Sequence, residues 1–250
     1  MSWVGTAMYI AYAIGAPAGS LLYSRYGFGS IAIATMVIPL LTLPLVLTLD
    51  AVPASPHARP AVGKVLGAVW LPGLGLALSC VGFGAITTYV VLLFAQHGWG
   101  RAWFALTTLS AAFILGRILF GHLPDRIDSP RVALMCVLIE AAGQALIWLA
   151  DTPGWVFAGS ALAGLGYSLV YPGFGVEAVR RAPPENRGLA VGAYTACLDL
   201  ALGIASPLLG LIASGAGLGA VFFSSALIVL CAAAVAIWLL VQQPTTQEIS

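Results

Sequence analysis

The chain has 250 residues, 60% of them hydrophobic and 8% charged, with a formal net charge of +1. A soluble domain carries about 25% charged residues, so this balance excludes an ordinary soluble domain and makes no case for a nucleic-acid partner. A mean hydropathy of +1.00 points to an all-α, polytopic membrane protein.

Crossing the hydrocarbon core takes about 20 mostly apolar residues. Eight runs qualify: 3–23, 28–49, 68–94, 102–121, 132–150, 154–176, 188–213 and 219–241. They lack strict alternation and are about twice the length of a barrel strand, so helices are expected. The first run has no basic segment before it and reads as a span rather than a cleaved signal. Residues 50–66 carry Pro53, Pro56, Pro60, Asp50, His57, Arg59 and Lys64 and read as a polar linker between two bundles. A second polar stretch, Gly116 to Arg131, packs Arg117, His122, Asp125, Arg126, Asp128 and Arg131 between two apolar runs. It reads as a tight connection between neighbouring spans. If residues 50–66 face the cytoplasm, that side collects Arg59, Lys64, Arg117, Arg126, Arg131, Arg180, Arg181 and Arg187, against Arg25 and Arg101 opposite. This positive-inside bias places both termini in the cytoplasm. Cys80, Cys136, Cys197 and Cys231 are isolated within apolar runs, so neither a metal site nor a disulfide is expected.

Residues 9–40 laid on 199–230 without a gap coincide at nine positions, among them Pro17/Pro207, Ser24/Ser214, Gly27/Gly217 and Gly29/Gly219. The first helix pair thus recurs as the last. Four helices precede the second copy, and by the same count four should precede the first.

The polar stretch contains Gly121, Leu123, Asp125, Arg126 and Arg131 as Gly-x-Leu-x-Asp-Arg with a later arginine. It resembles the signature loop of the major facilitator superfamily of transporters, departing at Asp128 where that family usually has glycine. The resemblance covers essentially the whole chain. It is nearest to bacterial arabinose-efflux-like permeases, through the Tyr-Thr-x-x-x-Asp-Leu-x-Leu-Gly segment at Tyr194 to Gly203. It implies two six-helix bundles, with this chain supplying the fifth to twelfth helices. Residues 1–49 would end the first bundle, 50–66 would be the linker, 67–241 the second bundle and 242–250 a cytoplasmic tail.

Gly15, Pro17 and Gly19 are similar to the Gly-Pro-x-x-Gly-Gly signature of facilitator antiporters, with Ala16 and Ser20 in place of glycines. They suit either close helix packing or an exporter's kink. Asp199 falls mid-span, where an acid costs about 2.5–3.5 kcal/mol on insertion scales. A carboxyl able to exchange between neutral and charged forms would serve proton coupling; a hydrogen bond to a neighbouring helix is the alternative. Glu140, with Gln144 one turn on, reads as a packing pair. Pro172 and Gly173 should bend the sixth run just ahead of Glu177, which marks either a gate or an ion pair with Arg180 and Arg181. The family plan lines the central cavity with the seventh and tenth helices, making Thr87, Thr88, Tyr89, Tyr167, Ser168 and Tyr171 candidates for cavity or interface positions. By the same resemblance Asp125 would latch onto the start of the first span; a solvated loop is the alternative.

Enzyme signatures such as HExxH or a phosphate-binding glycine loop are missing, and no cofactor is expected. The resemblance implies a secondary transporter in the bacterial inner membrane, moving a small organic solute by alternating access as a proton-coupled exporter or antiporter. The alternative is a membrane protein or partner subunit that transports nothing.

Overall fold

The computed structural model describes residues 2–48 and 62–242, and among them every regular element is helical. The helices are α1 (Ser2–Tyr26), α2 (Phe28–Leu47), α3 (Val62–Gln96), α4 (Trp103–Phe120), α5 (Leu123–Arg126), α6 (Ser129–Trp148), α7 (Pro153–Tyr167), α8 (Val170–Arg181), α9 (Arg187–Ala216) and α10 (Leu218–Val241). A helix satisfies its own backbone, which is what an apolar segment removed from water requires. The stretches over α3, α4, α6, α9 and α10 are each long and apolar enough to cross a membrane. The chain is an all-α membrane protein.

α3 runs through the middle of the bundle, against α8, α9 and α10. α6 lies between α10 and α7, and α4 between α7 and α1, while α2 packs on α1. Small residues set the closest of these approaches. A Cβ added at Gly164 of α7 would lie 2.1 Å from the Leu109 carbonyl oxygen of α4, and one at Gly166 would lie 2.4 Å from the Glu140 backbone nitrogen of α6. Without glycine there, α7 could not sit in the cleft between α4 and α6. Lipid gives no hydrophobic push between helices, so such backbone contact supplies much of the association.

The two helix pairs that match in sequence also match in local geometry. α1 ends at Gly27 (φ 73°) and α9 at Gly217 (φ 86°). This left-handed region of backbone space is strained for residues with a Cβ. The Gly27 N–H donates to Tyr23 O at 3.0 Å, and the Gly217 N–H to Ala213 O at 3.0 Å. Just upstream, Ser24 Oγ donates to Leu21 O and Ser214 Oγ to Leu211 O. Every one of these paired positions is 190 residues apart.

Two boundaries differ from the sequence reading. α3 begins at Val62, so residues 62–66 of the expected linker are helical. The linker's other residues from 49 to 61, and residues 243–250 of the expected tail, lie outside the described residues. The sixth run divides into α7 and α8 at Ser168–Leu169, upstream of the bend expected around Pro172 and Gly173. The reason is steric: a proline ring in a helix collides with the carbonyl four residues earlier. For Pro172 that carbonyl belongs to Ser168. The chain therefore breaks before the proline, which then sits in the first turn of α8, where no N–H is missed.

Candidate functional site

Breaking the span at Ser168 leaves its carbonyl without a helical partner, and an unpaired carbonyl at membrane depth is costly. Arg117 on α4 meets this need, its Nη1 donating to Ser168 O at 3.1 Å. Downstream, two tyrosines join α8 to α9. The Tyr194 hydroxyl donates to Tyr171 O at 2.8 Å, and the Tyr171 hydroxyl lies 2.9 Å from Thr195 Oγ1. Splayed around this junction, α4, α8 and α9 leave a cavity of about 500 Å³. That lies within the range of about 300–1,000 Å³ usual for small-molecule sites. Arg117, Arg180 and Arg187 reach it, and the rings of Tyr171 and Tyr194 with Pro172 and neighbouring valines form most of its wall.

Glu177 is 2% exposed and holds two arginines of its own helix, Arg180 Nη2 and Arg181 Nε, each at 2.6 Å. The two guanidinium groups supply the partners that a carboxylate removed from water needs. Gly173 faces Ala133 of α6, where an added Cβ would lie 3.0 Å from the alanine's own Cβ.

Two of the remaining cavity candidates, Tyr167 and Tyr89, are occupied in joining helices. The Tyr167 ring stacks on Phe83 at 5.2 Å, and its hydroxyl lies 3.1 Å from Cys80 Sγ. Tyr89 donates to Ser206 O at 2.6 Å, tying α3 to α9. Thr88 is exposed near Ser206, and Thr87 bonds back to Phe83 O. Among the described residues, Tyr171 is the one of Thr88, Tyr89, Tyr167 and Tyr171 that lines the cavity. Arg117, Arg187, Val191 and Tyr194 also line it; the sequence offered the charge of the two arginines and Tyr194's place in the permease-like segment as signals, and none for Val191.

Asp199 is exposed on α9 and does not line this cavity. Gly15 and Gly19 have open space beside them: no described neighbour stands within 4 Å of an added Cβ at either. Pro17 is half-buried within α1. In the signature stretch, Gly121 and His122 turn the chain, and Leu123, Asp125 and Arg126 lie on the single turn of α5. The Asp125 side chain lies outside the described residues. Asp128, the departure from the family pattern, pairs with Arg131 at 3.1 Å.

A second polar group lies deep between α3, α6 and α10. Ser79 Oγ donates to Glu140 Oε2, Gln144 Nε2 to Gly82 O at 2.7 Å, and Ser225 Oγ to Gln144 Oε1 at 3.1 Å. Glu140 and Gln144 are fully buried, and the group joins three helices through side chains rather than opening to a cavity.

Comparison with known proteins gives a consistent result. The sequence model of the Major Facilitator Superfamily matches residues 73–250. The chain is 39% identical over 226 residues to the uncharacterized MFS-type transporter YhhS of Salmonella paratyphi C, covering 90% of this chain and 56% of that protein. The same figures hold for YhhS of Escherichia coli K12. Against the uncharacterized MFS-type transporter STM4428 of Salmonella typhimurium, identity is 39% over 238 residues, covering 94% of this chain and 61% of that protein. The chain thus spans a little over half the length of these curated relatives.

Proposed function

The chain belongs to the major facilitator superfamily, and from that premise we propose that it acts in secondary transport, moving a small organic solute across a bacterial inner membrane by alternating access. The observation that carries this reading is the cavity between α4, α8 and α9, set against a span broken at Ser168 and laced by the arginine and tyrosine contacts of that junction. A broken span beside a cavity is where transporters of several folds place their solutes. In this reading α1 and α2 close a first bundle, the chain ahead of α3 links it to a second running from α3 to α10, and the tail from 242 shares the cytoplasm with the signature stretch. The matched ends of α1 and α9 support the assignment of α1–α2 and α9–α10 as equivalent pairs.

Export in exchange for protons is the direction proposed, with Asp199 as the proton carrier. It is a carboxylate on an apolar helix, with no ion pair to a cation among the described residues. The test is flux in proteoliposomes under an imposed pH gradient, across a panel of organic solutes. Gradient-driven flux should appear for the unmodified chain and fall to background for Asp199→Asn. Coupled flux that ignores the substitution retires Asp199. An absence of flux for every solute favours a non-transporting membrane protein or partner subunit instead.

A further inference from the structure

We infer that the α4/α8/α9 cavity takes an organic anion: an apolar body carrying a carboxylate-like head. This rests on the transport reading and narrows it to a substrate class. Three arginines from three separate helices reach the cavity, and among the described residues no carboxylate lines it. Glu177 is shared between Arg180 and Arg181, and Glu185 is exposed with no ion pair among the described residues. Arg187 is exposed at the start of α9 and makes no ion pair among the described residues. Its planar fork matches the two oxygens of a carboxylate, and the amide ends of a 30-residue helix beside it favour the same sign of charge.

The rest of the wall decides the body of the solute. Pro172, Val176, Val179 and Val191 offer no polar side-chain atom. The Tyr171 and Tyr194 hydroxyls are engaged with Thr195 Oγ1 and with Tyr171 O. A polyol would lose its hydrogen bonds to water here and regain few, and a cation would meet like charge. An aromatic or branched aliphatic body with one anionic group satisfies both parts of the wall.

The same head group could belong to a free solute or to an anionic lipid, so the test separates them. The full chain is placed in nanodiscs of phosphatidylcholine alone, and binding of radiolabelled 2-naphthoate is measured by equilibrium dialysis beside 2-naphthalenemethanol. Saturable binding of the carboxylate but not the alcohol is expected. Arg187→Gln should weaken it about tenfold, with unchanged helical circular dichroism, while Arg25→Gln at the far end of α1 leaves it unaltered. Equal binding of the alcohol, or indifference to Arg187→Gln, overturns the inference. So does Arg187-dependent retention of phosphatidylglycerol that displaces the carboxylate once this lipid is added, because the site then serves a headgroup. A neutral solute carried in proteoliposomes without naphthoate binding defeats this inference alone. Naphthoate binding with no solute moved defeats the transport reading and leaves the anion site standing.

Discussion

Adding one methyl group at Gly164 tests whether α7 is held by backbone contact. The new Cβ would lie 2.1 Å from Leu109 O, about 1.3 Å short of the 3.4 Å where ordinary contact begins. The obstacle is a backbone carbonyl, so no rotamer change can relieve it, and α4 and α7 must separate. Overpacking of this kind costs about 1–3 kcal/mol, whereas glycine to alanine within a helix by itself stabilises by about 0.5–1 kcal/mol. Gly164→Ala should therefore destabilise by about 1–2 kcal/mol, a factor of about 5–30 in the folded-to-unfolded ratio. Gly203→Ala on α9 is the control, since nothing stands within 4 Å of its added Cβ, and it should be neutral or slightly stabilising. Reversible unfolding in mixed micelles, titrated with a denaturing detergent and followed by helical circular dichroism, reads both variants on one scale. If Gly164→Ala proves as stable as Gly203→Ala, the close α4–α7 crossing is wrong.

The same assay checks the buried polar group. Gln144→Ala should cost about 1–3 kcal/mol through lost packing and hydrogen bonds. Adding Ser225→Ala should cost less than the sum of the separate changes, because the two side chains share one hydrogen bond; strict additivity would show the contact to be idle. Arg117→Met removes the donor to Ser168 O. It should raise maleimide labelling of Leu169→Cys several-fold in a background otherwise free of cysteine, since position 169 is buried while the break is held. Unchanged labelling would show that the break does not depend on Arg117.

How the chain broke its sixth run shows where sequence reading stops. Pro172 and Gly173 identified the weak place, but the carbonyl four residues upstream, and the distant Arg117 that satisfies it, set the actual break at Ser168. The same limit applies to polar residues on apolar spans. Tyr89, Tyr167 and Tyr171 look alike in the sequence, yet two bridge helices and one borders the cavity. Asp199 drew attention as an acid amid apolar neighbours, but Glu140 and Glu177 are the acids folded out of water.

Composition and run length alone determined that this protein is a bundle of apolar helices, because lipid allows only helices or a closed barrel and the runs are too long and too little alternating for barrel strands. The 190-residue offset likewise determined that two helix pairs would end alike, since glycine at matched positions permits the same turn. Which side chains meet across helices was decided only by the tertiary structure. An arginine near the end of α4 lies far along the chain from Arg180 at the end of α8 and Arg187 at the start of α9. Helix packing, directed by glycines whose neighbours lie on other helices, brought those three charges around one cavity.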